Sequence, residues 1–452
     1  MQFYRYSVIC RSPGKRPTCP GHPSKALKRV STCFYAAALI VTGLETASAA
    51  SLSVLSRNYM LQTDYRSKDA AQSLSREWAQ GFIGEFKSDV TEGAVGAAID
   101  LHGFVGLKLD GGRGHAGTGL LPIDSDGRSR SEYASAGGAL RLVAAATTLS
   151  IGEMQVETPV FDTGDKRLQP EYATGWLLTD RTLTDITFTA GRFTAFKNQN
   201  SSSARGEFDG YGGSTRFGGI SLAGFKWAKD ASPFGGALYA ARLDDVWAQY
   251  YSNVNLRQGA WLMDANLYRT SDTGASRSGS IDNWAYSMAN QIRRGGHTLT
   301  LGYQKIQGDT PFDFVGGDSI YLSNSIKFSD FNGAGESSWL LRYKWNAEAL
   351  GLSGLTITTA YVRGSRINGT SAPRGGAYNA FDPATDTYHA MQGKGGRHWE
   401  RDVEVRYVVQ SGPAKDLSLT VAHVSHRANT AQAGPDIDRL YLIAQYPVNM
   451  GF

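Results

Sequence analysis

Asp402-Val403-Glu404-Val405-Arg406-Tyr407-Val408-Val409, followed after a short polar break by Leu417-Ser418-Leu419-Thr420-Val421-Ala422-His423, is the stretch that decides the fold. Val403, Val405 and Tyr407 share one parity, while Asp402, Glu404 and Arg406 take the other. In the second run, Leu417, Leu419 and Val421 alternate with Ser418, Thr420 and Ala422. Successive side chains of an extended chain point to opposite faces, so this period of two predicts strands with one apolar and one polar face. Trp339, Leu341, Tyr343 and Trp345 repeat the pattern around Arg342 and Lys344. So do Val105, Leu107 and Leu109 around Lys108 and Asp110, and Leu140 and Leu142 around Arg141. Segments rich in Gly, Asp, Asn and Ser at 110–119, 198–206, 271–280 and 364–376 separate the runs.

Alternation by itself fits two architectures. A soluble sandwich turns its polar faces to bulk water, whereas a membrane barrel turns its apolar face to lipid and its polar face to an aqueous lumen. Beyond residue 50 no apolar run approaches the roughly 20 residues that a membrane-crossing helix needs. The alternation continues through 438–447, and Leu440, Leu442, Tyr446 and Phe452 share one parity. Aromatic residues at the two interface levels are what a barrel girdle requires, and a terminal strand ending in Phe is unlike the polar frayed tail of a soluble domain. Pro447 lacks a backbone donor and is expected at a strand end rather than inside one.

The N-terminal 50 residues read differently. Lys25, Lys28 and Arg29 precede the apolar run Cys33-Phe34-Tyr35-Ala36-Ala37-Ala38-Leu39-Ile40-Val41, and Thr46-Ala47-Ser48-Ala49-Ala50 supplies small residues for cleavage. That order is the pattern of an export signal, so residues 1–50 are expected to be removed, leaving 51–452 as one domain. The part before Lys25 is longer than a usual basic region, so the start of translation is expected downstream of Met1. The leader holds seven of the 46 Lys and Arg and one of the 41 Asp and Glu, so the net charge of +5 becomes about −1 in the remainder. The basic balance therefore carries no argument for nucleic acid. Cys10, Cys19 and Cys33 all lie in the leader as well. This excludes a disulfide scaffold, a thiolate metal site and a cysteine nucleophile from the rest of the chain. Of the 452 residues, 53 are glycine, without a three-residue period, and 11% are aromatic, which excludes collagen and disorder.

Motifs for catalysis are weak. Gly112-Arg113-Gly114-His115-Ala116-Gly117 matches G-x-G-x-x-G, but Thr118-Gly119-Leu120-Leu121-Pro122 follows and cannot open the helix that a dinucleotide site needs, so a hairpin loop is expected. His423 and His426 would converge on a helix, but on a strand they diverge, and the histidines read as loop or interface residues. A barrel hydrolase with a Ser–His pair in its wall stays open as an alternative, although no segment marks one. An adhesin or purely structural barrel is a third reading. The polar-face charges are more informative. Arg141, Arg342, Lys344 and Arg406 point away from lipid by parity, with Asp402, Glu404 and Asp110 on the same side. They form either the ordinary charge of any wet lumen or a ladder that draws anions along a pore.

Several blocks then carry a resemblance. Asp309-Thr310-Pro311-Phe312-Asp313-Phe314, Gly316-Gly317-Asp318-Ser319-Ile320-Tyr321-Leu322-Ser323-Asn324-Ser325, Ser329-Asp330-Phe331-Asn332 and Gly335-Glu336 with Ser338-Trp339 resemble the OprD family of substrate-specific outer-membrane porins. Arg57-Asn58-Tyr59, Trp78-Ala79-Gln80-Gly81-Phe82, Gly106-Leu107-Lys108-Leu109-Asp110, Gly117-Thr118-Gly119, Pro159-Val160-Phe161, Arg167-Leu168-Gln169-Pro170 and Tyr407-Val408-Val409-Gln410-Ser411-Gly412-Pro413 are similar to family blocks in family order. The resemblance implies an all-β transmembrane antiparallel barrel of about 18 strands with short periplasmic turns, long outer loops and an inward-folded constriction loop. That loop corresponds to about 153–172.

The resemblance further assigns Arg167 to the constriction, Arg406 to the basic ladder, and Asp318 to the acidic group of a second inward loop. Arg167 opposite Asp318 would set a transverse field. Some positions depart from the family pattern. Thr420 and Ala422 stand where arginines are usual, Thr63 replaces a ladder cation, and Arg439 lies two residues from the usual basic position, which Tyr441 occupies. A strong preference for basic amino acids is therefore not expected. The expected protein is a passive, substrate-selective channel of the bacterial outer membrane for small carboxylates such as amino acids or aromatic acids. Arg141, Arg342, Lys344 and Arg439 would line it. Its partners would be a small-molecule solute and outer-membrane lipid, with no cofactor, no metal and no nucleic acid, in a monomer or weak trimer.

Overall fold

The computed structural model describes residues 50–67, 70–209, 214–215, 218–228 and 232–451. Residues 1–49, which include Cys10, Cys19 and Cys33, and Phe452 lie outside the described residues. Eighteen antiparallel strands form one sheet. They are β1 (Ser51–Tyr65), β2 (Leu74–Lys87), β3 (Gly96–Asp110), β4 (Glu132–Ala144), β5 (Thr147–Met154), β6 (Tyr172–Asp180), β7 (Ile186–Lys197), β8 (Ile220–Ala228) and β9 (Phe234–Leu243). The second half continues with β10 (Trp247–Gln258), β11 (Trp261–Asp272), β12 (Asp282–Arg294), β13 (His297–Gln307), β14 (Ser337–Asn346), β15 (Leu355–Asn368), β16 (Lys394–Val408), β17 (Ser418–Ala428) and β18 (Ile437–Gly451). Each strand pairs with the next, and β18 pairs with β1 from Ser51↔Gly451 to Tyr65↔Ile437, so the sheet closes. Closure leaves no unpaired edge, which is how a sheet satisfies its backbone within hydrocarbon. Among the described residues no helix is long and apolar enough to cross a membrane.

The wall has the polarity that the alternation predicts. Val403, Val405, Leu419, Trp339, Leu341 and Tyr343 are exposed on the outside of the sheet. Ala360, Val362, Ala422 and Val424, of the opposite parity, are buried inside it. Strand ends at one rim are joined by tight turns such as Gly259–Ala260 and Gly295–Gly296, where Gly259 and Gly295 both have φ of +56°. Two-residue hairpins need that left-handed backbone, and glycine supplies it without a Cβ clash. At the other rim, long connections span 111–131, 155–171, 198–219, 308–336 and 369–393. Short turns mark the periplasmic end of such a barrel and long loops the outer end.

Two expectations need correction. Asp110 does not share the inner face with Lys108. A bulge between Trp78 and Ala79 pairs Asp110 with outward-facing Trp78, and the carboxylate meets Arg76 at 3.1 Å instead. One inserted residue reverses the parity of everything after it. Pro447 lies inside β18, opposite Leu55. The β17 ladder begins only at Gln445, so at Pro447 the strand is paired on one side alone, and its missing donor costs nothing on the side without a partner.

Candidate functional site

Two outer-end connections fold back inside the barrel and are built to stay there. The first, 155–171, packs Val156, Val160 and Phe161 into a buried cluster with Ala173, Phe193, Phe196 and Phe208. Tyr268 of β11 donates to the Pro159 carbonyl at 2.7 Å. Further along, Arg57 of β1 holds Asp165 with two bonds (2.6 and 2.7 Å) and also donates to the Arg167 carbonyl at 2.7 Å. Tyr59, two residues on, reaches the Lys166 carbonyl at 3.2 Å. Leu168 is fully buried against β2 at Gly81, where an added Cβ would lie only 3.1 Å from the leucine. The loop therefore leaves β5 toward β7 and β11, is pinned to β1 at 165–167, and returns along the inner face of β2, β3 and β4 to β6.

The second connection, 308–336, is tied to the remaining wall. Gln249 of β10 donates to the Asp313 carbonyl, Asn283 of β12 to that of Pro311, and Gln304 of β13 to those of Asp330 and Phe331. The buried Glu400 carboxylate of β16 accepts from the Phe328 and Ser329 amides at 2.8 and 2.7 Å. Next to it runs a histidine chain. His426 Nδ1 donates to the Pro435 carbonyl at 2.8 Å, so its Nε2 is free to accept from His398 Nδ1 at 2.8 Å. His398 Nε2 then meets Glu336 Oε1 at 2.7 Å, a contact that requires one proton between them. His398 and His426 are thus interior anchors rather than loop or interface residues, while His423 faces out. Ser329 Oγ lies 3.5 Å from His398 Nδ1, but that nitrogen is committed to His426 and the serine is buried, so no nucleophile is set up here. Among the described residues, no group of three or more His, Cys, Asp and Glu is placed to hold a metal ion.

The two loops join edge to edge. The buried Glu171 carboxylate accepts from the Gly164 amide of its own loop at 2.8 Å and the Gly317 amide of the other at 2.7 Å. Asp162 accepts from Tyr321 at 2.5 Å. Burial pushes both carboxyls up to about 7 and raises the Tyr321 hydroxyl as well. Lys166 closes the seam, bonding to the Gly317 carbonyl and the Asp318 carboxylate at 2.6 Å each, and both side chains stay open to solvent (45% and 40% exposed). The joined loops leave a rim that carries a cation beside an anion.

Asp318 therefore finds its cation in Lys166. Arg167 lies on the same loop and turns its Nε to the Thr118 carbonyl at 3.3 Å and its Nη1 to the Lys166 carbonyl at 2.9 Å. On the wall, Arg342, Ala360, Asp402, Val424, Arg439 and Thr63 follow one rung across β14 to β18 and on to β1. Arg439 Nε donates to Thr63 Oγ1 at 2.8 Å and its guanidinium stacks 4.6 Å from the Phe328 ring centroid. A cation missing at Thr63 is thus supplied from the adjoining strand on the same rung. Arg406 is exposed on the inner face and donates to Ser418 at 3.0 Å, and Lys344 is exposed on that face too. Arg141 is neutralised by Asp100 at 3.0 Å, and the pair sits beside the 88–95 connection. Arg57, Lys166 and Glu171 escaped sequence reasoning. Arg57 stands in a family-like block and has the parity of Tyr59, but its partner lies 108 residues away and only the folded loop brings it near.

A protein-family model described as outer membrane porin, OprD family, matches residues 47–450. Porin D of Pseudomonas aeruginosa is 39% identical over 425 residues, covering 88% of this chain and 91% of that protein. Among solved structures, Pseudomonas aeruginosa OccK9 (OpdG) superposes with a TM-score of 0.79 at 35% identity, covering 89% of this chain and 98% of that one. The Pseudomonas aeruginosa OpdK structure with vanillate superposes at 0.77 with 32% identity, covering 89% and 99%.

Proposed function

The chain belongs to the OprD family of outer-membrane porins, and on that premise we propose that its lumen passes small carboxylates by passive diffusion, holding them briefly at the loop rim and the basic wall. The observation that carries this reading is the company the inward arginines keep. Arg406 and Arg439 donate to the hydroxyls of Ser418 and Thr63 rather than to carboxylates, so their charge remains to attract an anion. Arg167 extends the path at the inward loop, and Lys344 and Arg342 extend it along β14. Asp318, held by Lys166, supplies the opposite sign at the rim, so a solute with both an amino and a carboxyl group would be oriented as it passes. Water fills such a lumen, so each contact is screened and weak enough to release the solute.

The vanillate bound to the relative OpdK is an aromatic carboxylate, which suits the same pairing of arginines with the Phe328 and Tyr441 rings near Arg439. In this reading residues 1–50 are the export signal, and the barrel works as a monomer or weak trimer. Planar-bilayer recordings of Arg406→Gln, Arg439→Gln and Arg167→Glu provide the test. Anion preference, read as the reversal potential in a salt gradient, should fall in all three. Reversal potentials equal to that of the parent protein would refute the assignment. Swelling of liposomes in amino acids, aromatic acids and sugars then ranks the solutes.

A further inference from the structure

The lumen uses only the inward-facing cations, and a second set faces hydrocarbon. Val362, His398, Glu400 and His426 are buried inside, so by alternation Tyr361 and Arg363 of β15, Trp399 and Arg401 of β16, and Ser425 and Arg427 of β17 point outward. Trp339, Arg363, Trp399 and Arg427 share one rung, and Leu341, Tyr361, Arg401 and Ser425 share the one two residues nearer the periplasmic end. Arg427 is neutralised by Asp438 through bonds of 3.0 and 2.9 Å. Elsewhere on the outward face, Arg76 holds Asp110, Arg192 holds Asp244 and Arg269 holds Asp282. Arg363 and Arg401 differ. Both are exposed, and among the described residues no acidic side chain forms an ion pair with either.

An unpaired arginine on the lipid face costs free energy that grows with depth. Arg401 is not at the rim, since only Val403 and Val405 separate it from Tyr407 on the outward face of β16. Arg363 and Arg401 are diagonal neighbours across β15 and β16, a relation that puts the two residues about 7–8 Å apart, and two guanidinium forks can close that span on one tetrahedral anion. Exposed Trp339 and Tyr361, with Trp399 6.0 Å from Tyr361, surround the pair with aromatic surface, and Leu341 and Val403 continue it as apolar wall.

We propose that Arg363 and Arg401 clamp the phosphate of a phosphorylated glycolipid in the outer leaflet, with its acyl chains lying on Leu341, Tyr361, Val403 and Val405. The charge, the position on the outer half of the wall and the apolar surface below match that occupant. A solute in the lumen cannot reach it.

The test compares the full-length parent protein with Arg363→Gln/Arg401→Gln in detergent, titrated with lipid A, with dephosphorylated lipid A and with phosphatidylglycerol, and reads adducts by native mass spectrometry. The parent should retain one lipid A through purification, and the double variant should bind it at least about tenfold more weakly. Arg192→Gln, whose arginine already has an acid partner, should bind lipid A as the parent does. A band that shifts on boiling shows that each variant has formed its barrel. Equal retention of lipid A by parent and double variant overturns the proposal. Equal binding of dephosphorylated lipid A removes the phosphate from it, and equal binding of phosphatidylglycerol removes the glycolipid. A double variant that loses self-association instead, at unchanged lipid binding, gives the surface to a second copy of the chain. Conductance should be the same in both proteins, so failure here is distinct from failure of the pore reading.

Discussion

The Arg57 guanidinium and the Asp165 carboxylate meet through two hydrogen bonds, at 2.6 and 2.7 Å, across 108 positions of sequence. This contact fixes the far end of the first inward loop to the strand that closes the barrel. The arginine is almost wholly buried and the aspartate is 43% exposed, so the bond is charge-assisted yet partly screened.

Arg57→Ala should therefore free the segment around Lys166 and Arg167 while leaving the wall intact. Loss of a charged hydrogen-bond pair of this kind costs about 1.5–3 kcal/mol of local stability. Single-channel traces should become noisier, with a larger mean conductance. A trace indistinguishable from the parent would show that the loop is held by Leu168 and Gln169 alone.

Lys166→Glu should behave in the opposite way. The Lys166–Asp318 pair is solvent-exposed and contributes about 0–1 kcal/mol, so heat stability should hardly change. Two acids would then face each other at the seam, and selectivity should move toward cations. An unchanged reversal potential would place the seam outside the conduction path.

Asp162 and Glu171 make loop closure depend on pH. Their ordinary values are 3.8 and 4.5, and burial pushes both up to about 7 when the loops are joined. The joined state thus binds protons that the separated loops would release, so its stability is complete below about 4 and is lost as pH rises through about 7. Conductance fluctuations should grow over that window. Asp162→Asn combined with Glu171→Gln should flatten the response.

Glu336→Ala removes the hydrogen-bond partner at the end of the histidine chain and leaves His398 buried with a polar edge unmatched, which costs about 1–3 kcal/mol. The second loop should detach at that end, seen as faster protease cleavage within 308–336 in intact cells. Cleavage at the parent rate would leave Glu400 as the sufficient anchor.

Much of this architecture can be read from the residues. Val403, Val405 and Leu419 face out and Arg406 faces in because strand parity admits no compromise once one face meets lipid. Arg342, Lys344 and Arg141 follow the same rule. Asp110 broke it because a bulge adds a residue that alternation cannot reveal. Lys166 escaped because the charge that meets Asp318 depends on how a 17-residue connection, 155–171, folds against another far along the chain, and no local pattern encodes that. The histidines depart from the loop and interface positions expected of them for a related reason. His398 and His426 are brought together by the β16–β17 ladder across 28 positions, and the Glu336 that completes them arrives from an inward loop.

The seam between the first and the eighteenth strand runs through fifteen matched positions, from Ser51↔Gly451 to Tyr65↔Ile437. No intermediate with only part of the cylinder can therefore be watertight, and every half-built form carries two raw margins. Assembly has to bring together ends almost the whole chain apart, and such non-local pairing is slow. A nutrient channel of this design exists either complete or not at all, so damage to either margin strand should abolish the protein rather than weaken it.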